Sequence, residues 1–321
     1  MRAVRLHRPG DESRLRLEEL PRPEPGPGQV RVRLAAAGVN FIDIYQRTGL
    51  YPLDLPATLG LEGAGTVEAV GRDAGSWQPG DRVAFAGEPG AYAEAVIVPA
   101  DRLLPVPEAV PLETAAAAML QGMTAWCLTR RVFDVQPGQF ALVHAAAGGV
   151  GGLLVQLIAA RGGRVIATAG SAAKAARAQA LGAQVVVNYR EADFVGAVAE
   201  ATDGAGVAVA YDGVGQATFE GSRQSLARRG MLVLYGQASG VVETVAPKDL
   251  AAGSLFLTRP SLFHYIDTPA ALAEAGQAVL QAVAAGELEV RVDRTLPLAE
   301  AGRAHALLAG RRSAGKLLLT P

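Results

Sequence analysis

The chain contains few of the residues on which several large classes of protein depend. It has one cysteine, Cys127, among 321 residues, which excludes both a disulfide within the chain and a metal site built from several thiolates. Aromatic residues make up 5% of the sequence and the formal net charge is −1. Without a basic stripe or a series of exposed aromatic residues, no nucleic-acid partner is expected.

Long hydrophobic runs are also absent. No apolar run approaches the roughly 20 residues needed to span a bilayer. The N-terminal sequence MRAVRLHRPG has no apolar core of the kind a signal peptide requires. We therefore expect a cytoplasmic protein with no membrane partner.

The most informative stretch lies in the middle of the chain. A short apolar run, Phe140–Val143, is typical of a buried parallel strand. A loop of small residues follows, with the pattern AxxGxxG from Ala145 to Gly151. Apolar residues then recur at three- and four-residue steps from Val150 to Ile158, which predicts a helix. Val165–Ala167 begins another apolar run, so the predicted order is strand, glycine turn, helix and strand.

This order is the one that a dinucleotide-binding unit requires. The first turn of a helix has unpaired N–H groups and a favourable dipole, both of which attract a pyrophosphate. The backbone can approach the pyrophosphate only where side chains are small, as at Gly148 and Gly149. The stretch therefore predicts a bound dinucleotide, and His144 before the turn is expected to be a buried core histidine.

Two patterns occupy the rest of the chain. Up to about residue 110, short alternating apolar stretches lie between glycine and proline turns, which favours a small barrel-like β domain. One of its strands is expected at Ala91–Val98. From about residue 121 to 258, strands and helices alternate, as in a parallel sheet that is covered on both faces. The fold class is therefore α/β.

Several longer motifs carry a family resemblance over nearly the whole chain. They are AAAGVNFIDIYQRTGLYP (35–52), LGLEGAGTVEAVG (59–71), QPGDRV (78–83), QGMTAW (121–126), HAAAGGVG (144–151), VVNYRE (186–191), YDGVG (211–215) and GSLFLTRPSL (253–262). The chain resembles the zinc-free quinone oxidoreductases of the medium-chain dehydrogenase/reductase superfamily. The resemblance implies a GroES-like β-barrel catalytic domain (1–120 and 259–321), a Rossmann-type doubly wound parallel sheet domain that binds NADPH (121–258), and a homodimer paired through edge strands.

Departures from the wider superfamily bear on metal binding. Zinc-dependent alcohol dehydrogenases have a cysteine ligand where this chain has Asn40 and a histidine where it has Leu61. Zinc is held by thiolate and imidazole groups. No metal is therefore expected.

The residues after the second strand favour one cofactor. An NAD site usually carries an acidic residue about 20 positions past the glycines. Here the sequence is Thr168–Ser171, with no carboxylate to repel a 2′-phosphate. Lys174, one of only three lysines, follows near the start of the next helix. The resemblance assigns Ser171, Lys174 and Tyr189 to the 2′-phosphate, so NADPH is expected.

The remaining site residues are implied by the resemblance. The catalytic candidates, which would line a nicotinamide and substrate cleft between the domains, are Asn40, Asp43 and Tyr45. Tyr45 or Asp43 could relay a proton to the substrate, as could solvent. The other expected cofactor contacts are Phe41, Ile42, Thr124, Gly148, Gly149, Val150, Gly170, Gly213, Gly236, Gln237, Ser239, Gly240, Phe256, Leu257, Thr258 and Arg311.

One departure affects the cofactor contacts. The family usually has a serine before the valine-glycine pair, and this chain has Gly213 in its place. One hydrogen bond to the cofactor is therefore expected to be missing.

The implied function is metal-free hydride transfer from NADPH to a small-molecule quinone. The first alternative is an NADPH-dependent reductase of activated alkenes such as enones or acrylates, which needs the same cleft. The second is a nucleotide- or RNA-binding protein with incidental activity, against which the composition argues.

Overall fold

The computed structural model describes all residues, Met1–Pro321, and the chain divides into two compact units. The first unit consists of 1–123 and 266–321, and the second of 124–265. The boundaries predicted from the sequence, at 120 and 258, lie a few residues earlier. No helix of the chain combines the length and the apolarity that crossing a bilayer requires.

The strands form two sheets in the first unit and one sheet in the second. The strands are Arg2–Leu6 (β1), Leu15–Glu19 (β2), Gln29–Val39 (β3), Ala57–Thr58 (β4), Glu62–Val70 (β5), Arg82–Ala86 (β6), Ala95–Pro99 (β7), Leu104–Pro105 (β8), Phe140–Val143 (β9), Arg164–Ala169 (β10), Val185–Asn188 (β11), Val207–Asp212 (β12), Leu226–Leu234 (β13), Phe256–Thr258 (β14), Val292–Pro297 (β15) and Lys316–Thr320 (β16).

Helices connect these strands, and most of them follow a strand directly. The α-helices are Phe41–Thr48 (α1), Leu112–Cys127 (α2), Gly149–Ala159 (α3), Ala172–Ala180 (α4), Phe194–Ala201 (α5), Phe219–Gln224 (α6), Lys248–Ala251 (α7), Pro269–Ala284 (α8) and Ala301–Ala309 (α9). A wider π-helical turn, Leu128–Val132, continues α2. The boundary between the two units falls within α2, which is why no linker marks it in the sequence.

The first unit is built around β3. Its seven-stranded sheet has the order β15-β16-β3-β5-β6-β8, and β7 also pairs with β3. A second sheet has the order β2-β1-β4. The first half of β3 pairs with β7 and its end pairs antiparallel with β16. The C-terminal strand therefore lies beside the end of β3, which leads directly into α1.

One predicted strand of this unit begins later than expected. The sequence predicts a strand over Ala91–Val98, whereas β7 begins at Ala95. The preceding main chain turns back instead, with the Ala91 N–H donating to the Gly60 carbonyl and the Tyr92 N–H donating to the Leu59 carbonyl. This turn buries the Tyr92 side chain completely.

The short helix α1 is held at both ends. The Asp43 carboxylate accepts a hydrogen bond of 2.8 Å from the Asn40 N–H, as in a capping box. Gly49 follows the helix in the left-handed conformation, with φ of 84°. These caps hold the first turn of α1, where several of the candidate site residues lie.

The second unit is one parallel sheet with the order β11-β10-β9-β12-β13-β14. Buried aliphatic residues from the middle strands form its core, among them Leu142, Ile166 and Leu232. After β9 the chain adds strands on one side and then returns to add β12 on the other. The carboxyl ends of β9 and β12 therefore flank a topological switch point, where ligands of such sheets bind.

Candidate functional site

The turn between β9 and α3 is shaped for a phosphate. Ala145 has a φ of 51°, and its carbonyl accepts the Gly148 N–H at 2.8 Å. A side chain at Gly151 would collide with Ala145, because its Cβ would lie 2.9 Å from the carbonyl carbon. Gly148 precedes α3 without any side chain that could cap the first N–H groups. An anion can therefore reach those groups directly, and the predicted contacts at Gly148, Gly149 and Val150 fit a pyrophosphate.

The residues predicted for the 2′-phosphate come together where β10 and β11 end. The Tyr189 N–H donates to the Ala169 carbonyl at 3.1 Å. The Tyr189 hydroxyl lies so close to Gly170 that a Cβ there would be 2.5 Å from the oxygen. Ser171 begins α4 and accepts the Lys174 N–H at 3.4 Å. Gly170, Ser171 and Tyr189 therefore lie together at the carboxyl ends of β10 and β11, where the Tyr189 side chain is 40% exposed.

Asp212, which the sequence analysis did not single out, organises the ends of β12 and β13. Its carboxylate is fully buried and accepts the N–H groups of Val214 and Gly215 at 2.8 and 2.9 Å. The Thr218 hydroxyl donates to both of its oxygens, and the Ser222 hydroxyl donates at 2.8 Å. The segment after β12 is therefore fixed by the carboxylate of the last residue of that strand. The signal in the sequence that could have identified Asp212 is the aspartate of the motif YDGVG.

A second loop is fastened to this segment by Ser239. Its N–H and its hydroxyl both donate to the Val214 carbonyl at 2.8 Å, and the hydroxyl accepts the Ala217 N–H at 3.0 Å. The Ser239 hydroxyl is thus committed to joining the two loops. The predicted place of Ser239 along the cofactor stays a prediction.

His144 is a buried neutral histidine that follows β9, at the start of the turn between β9 and α3. Its ring nitrogens lie 2.9 Å from the Thr168 and Ser222 hydroxyls. Burial lowers the pKa of the imidazole below its usual value. The Ser222 hydroxyl donates to Asp212, so it accepts from His144 Nε2, which fixes the tautomer. His144 therefore links the end of β9 to β10 and α6, as a buried core histidine.

In the first unit, Asn40 is hydrogen-bonded to a buried ion pair of Glu62 and Lys316, which was not predicted from the sequence. Lys316 pairs with Glu62 at a short distance, and both side chains are excluded from solvent. Lys316 Nζ donates to Asn40 Oδ1 at 2.7 Å, and Asn40 Nδ2 donates to Glu62 Oε1 at 2.6 Å. Gln121 Nε2 adds a hydrogen bond of 3.2 Å to the same Asn40 oxygen. The orientation of the Asn40 amide is therefore fixed.

Room for this triad of Asn40, Glu62 and Lys316 exists only because residue 38 is a glycine. A Cβ at Gly38 would lie 2.6 Å from the Glu62 carboxyl carbon and 2.6 Å from Lys316 Cε. The second Glu62 oxygen accepts the Leu120 N–H at 2.7 Å. Glu62 thus joins β5, β16 and α2 at one point.

Asp43 does not lie on an accessible surface, in contrast to its predicted place along a cleft. It is fully buried, and its Oδ2 accepts the Tyr92 hydroxyl at 2.9 Å as well as the Asn40 N–H. Burial raises the pKa of the Asp43 carboxyl to about 7. The Tyr92 hydroxyl lies 3.1 Å from His305 Nε2, and burial lowers the pKa of that imidazole to about 3. Asp43 caps α1 from the interior and is not placed to meet a substrate.

The raised pKa of Asp43 predicts a change of stability with pH. Between pH ~4 and ~7 the Asp43 carboxyl of the folded chain keeps its proton, whereas an aspartate of the unfolded chain has released it. The stabilisation that results from this difference is therefore complete below pH ~4 and is lost as the pH rises through ~7. Asp43→Asn removes the titration. Relative to the parent, the variant's free energy of unfolding should rise by up to ~4 kcal/mol from pH ~4 to pH ~7.

Urea unfolding at a series of pH values measures this difference. His305 shifts in the opposite sense, with stabilisation present above its unfolded pKa and lost as the pH falls towards 3. Because His305 is present in both proteins, its contribution largely cancels. Asp203→Asn, on an exposed turn, is the control and should parallel the parent. Parallel curves for Asp43→Asn as well would contradict the raised pKa.

Tyr45 belongs to a half-exposed aromatic cluster on and after α1. Its ring centroid lies 6.1 Å from that of Phe41 and 5.2 Å from that of Tyr51. The Tyr51 N–H donates to the Tyr45 carbonyl at 3.0 Å, which holds the two rings together. Tyr51 was not among the residues predicted from the sequence, although it lies within the motif NFIDIYQRTGLYP.

Comparisons with known proteins assign the chain to a family. The family model described as "Alcohol dehydrogenase GroES-like domain" matches residues 26–108, and the one described as "Zinc-binding dehydrogenase" matches residues 181–319. A quinone oxidoreductase from Pseudomonas aeruginosa is 42% identical over 289 residues, which cover 89% of both chains. The chain belongs to the quinone oxidoreductases of the medium-chain dehydrogenase/reductase superfamily. The predicted family and fold class are thereby confirmed.

Two further relatives match this chain over almost their full length. The crystal structure of Escherichia coli quinone oxidoreductase complexed with NADPH has a TM-score of 0.98 at 40% identity, with all of both chains covered. A 2-haloacrylate reductase from Burkholderia is 40% identical over 99% of this chain and 98% of its own.

The donors that a zinc ion requires are not assembled in this quinone oxidoreductase. Nowhere in the chain do three or more His, Cys, Asp or Glu side chains form a group that could hold a metal ion. Asn40 and the buried Leu61 stand where zinc enzymes of the superfamily have ligands. Zinc is bound by thiolate, imidazole or carboxylate in tetrahedral groups, so the residues present do not fit it.

The remaining predicted cofactor contacts lie in several places. Ile42 is half-buried on α1, and Thr124 is half-buried on α2. Gly236, Gln237 and Gly240 belong to the loop after β13 that Ser239 fastens. Phe256, Leu257 and Thr258 form the edge strand β14, with Phe256 56% exposed. Arg311 is exposed after α9. The part of each in cofactor binding stays a prediction.

Proposed function

We propose that the protein is a quinone reductase that uses NADPH. The observation that carries the cofactor assignment is the cluster of Gly170, Ser171 and Tyr189 at the carboxyl ends of β10 and β11, beside the glycine turn. It offers hydroxyl groups, with Lys174 in the first turn of α4 as the cation, and no carboxylate ends β10. The quinone oxidoreductase relatives, one of them in complex with NADPH, support the reaction.

The residues of the second unit would hold the cofactor in two parts. N–H groups at the start of α3 would bind the pyrophosphate, and Ser171, Lys174 and Tyr189 would bind the 2′-phosphate. When bound, NADPH supplies a hydride to an electron-poor acceptor. The loops held by Asp212 and Ser239 would support the cofactor without rearrangement.

The residues of the first unit would receive the quinone. The aromatic cluster of Phe41, Tyr45 and Tyr51 offers flat apolar surface of the kind on which a quinone ring stacks. Asn40 would contribute a fixed amide beside this cluster, at the start of the same helix. Because Asp43 is buried and bonded to Tyr92, the proton that completes the hydroquinone would come from solvent or from the Tyr45 hydroxyl.

Reduction of an activated alkene is the second candidate, favoured by the Burkholderia relative described as a 2-haloacrylate reductase. Both reactions take one hydride and one proton. The experiment is to follow NADPH oxidation with benzoquinone, with an enone and with 2-chloroacrylate, each repeated with NADH. We expect turnover with benzoquinone and NADPH, and slow turnover with NADH.

Each result of this assay decides between the candidates. Turnover with the enone or the chloroacrylate alone would establish the alkene reductase and reject the quinone reductase. Tight binding of NADPH without turnover of any acceptor would reject both activities and favour a nucleotide-binding protein. Tyr45→Phe removes the hydroxyl and keeps the ring, so loss of kcat in this variant would identify Tyr45 as the proton donor.

We also propose that two copies pair through β14. This strand ends the parallel sheet, and the large Phe256 side chain beside its open edge is 56% exposed. An open edge presents unpaired N–H and carbonyl groups that a second strand can satisfy. Light scattering should give the mass of a dimer, and a monomer at micromolar concentration would reject the pairing.

A further inference from the structure

Tyr235 and Gly213 form a matched pair at the carboxyl ends of β13 and β12. The Tyr235 N–H donates to the Asp212 carbonyl at 2.9 Å, so the two strand ends lie side by side. A Cβ added at Gly213 would lie 2.7 Å from Cε2 and Cζ of Tyr235 and 2.8 Å from its hydroxyl oxygen. Real Cβ atoms essentially never come within 3.0 Å of such atoms. The hydroxyl end of the ring therefore occupies the space that a side chain at residue 213 would need.

The surroundings hold this pair in place. On one side, Asp212 fixes the main chain of Val214 and Gly215. On the other, Ser239 ties the loop after Tyr235 to the Val214 carbonyl. The half-buried Tyr235 ring thus lies on a rigid support, and its hydroxyl has a defined position above the ends of β12 and β13.

The position of the pair in the sheet suggests which part of a dinucleotide it would meet. The topological switch point lies between β9 and β12. The proposed 2′-phosphate site, with Ser171 and Tyr189, lies on the β10 and β11 side of that point. A dinucleotide that crosses the switch point has its adenosine half on that side and its nicotinamide half over β12 and β13. Tyr235 therefore lies on the nicotinamide side.

We propose that the Tyr235 hydroxyl is a cofactor-binding group that donates a hydrogen bond to the nicotinamide half of NADPH. It stands in the volume where the usual serine hydroxyl would lie if residue 213 were not glycine. The hydrogen bond expected to be missing at Gly213 is therefore supplied from the neighbouring strand. This inference rests on the proposed binding of NADPH.

The test is a set of dissociation constants measured by calorimetry, without turnover. Tyr235→Phe should weaken NADPH binding about three- to tenfold, which corresponds to one hydrogen bond. Binding of adenosine 2′,5′-bisphosphate, which has no nicotinamide half, should be unchanged. Tyr265→Phe removes a hydroxyl from another half-buried tyrosine of the same unit and should change neither constant.

Variants at residue 213 test the matched pair. Gly213→Ser alone should weaken NADPH binding more than Tyr235→Phe does, because the serine collides with the ring. In a Tyr235→Ala background, where the space is open, Gly213→Ser should instead strengthen binding relative to Tyr235→Ala alone. Thermal unfolding of each variant identifies any that fail to fold, and Tyr235→Phe decides the question if they do.

The outcomes separate this inference from the proposed function. If the parent protein does not bind NADPH, the proposed function fails. If the parent binds NADPH and Tyr235→Phe binds it within twofold as well, only the role of Tyr235 is overturned. Equal weakening of NADPH and the bisphosphate would also overturn it, because the effect would then be a general change of the fold.

Discussion

Replacing Lys316 by methionine is expected to destabilise the protein by about 3–5 kcal/mol, the loss typical of a buried ion pair from which one partner is removed. The Lys316 side chain is 1% exposed and the Glu62 side chain is fully buried. Methionine fills a similar volume but leaves the Glu62 carboxylate without its counter-charge. The Asn40 amide would lose a hydrogen bond at the same time.

The matched variants distinguish charge from packing. Glu62→Gln combined with Lys316→Met removes both charges and keeps an acceptor for the Leu120 N–H, so it should recover much of the lost stability. Lys248→Met, at an exposed position, should stay within about 0.5 kcal/mol of the parent. Chemical unfolding measures all of these. Equal losses in the single and double variants would show that packing, and not the ion pair, is responsible.

The second large effect concerns the choice of cofactor. Lys174→Glu is expected to lower kcat/KM for NADPH by roughly a hundredfold, because a carboxylate then faces the two charges of the 2′-phosphate. Lys174 lies in the first turn of α4, where its N–H donates to Ser171. NADH has no 2′-phosphate, so its kcat/KM should change by less than about threefold.

Two comparisons make this result decisive. Lys248→Glu introduces the same charge change on an exposed position of the same unit and should leave both cofactors almost unaffected. Binding of adenosine 2′,5′-bisphosphate should weaken in Lys174→Glu as much as that of NADPH. If NADPH and NADH lost activity equally, Lys174 would have no part in recognising the phosphate.

Local sequence patterns were sufficient for most of the second unit. The strand at Phe140–Val143 was predicted with the bounds that the structure has. It is a short apolar run followed by turn residues, a signal that needs no distant partner. The glycine turn could be predicted for the same reason. The strand expected at Ala91–Val98 failed at its start, since contacts with Leu59 and Gly60 decide the course of that segment.

The sequence by itself determined the fold class, the family and the position of the glycine turn between β9 and α3, because these depend on residues close together in the chain. Only the tertiary structure revealed that Lys316 meets Asn40 across 276 residues and that Glu62 joins them. It also showed that Asp43, which was predicted to line a cleft, is buried in the interior. Burial and charge pairing depend on which distant strands become neighbours. Those neighbours, such as β3 beside β16, are set by the packing of the whole unit.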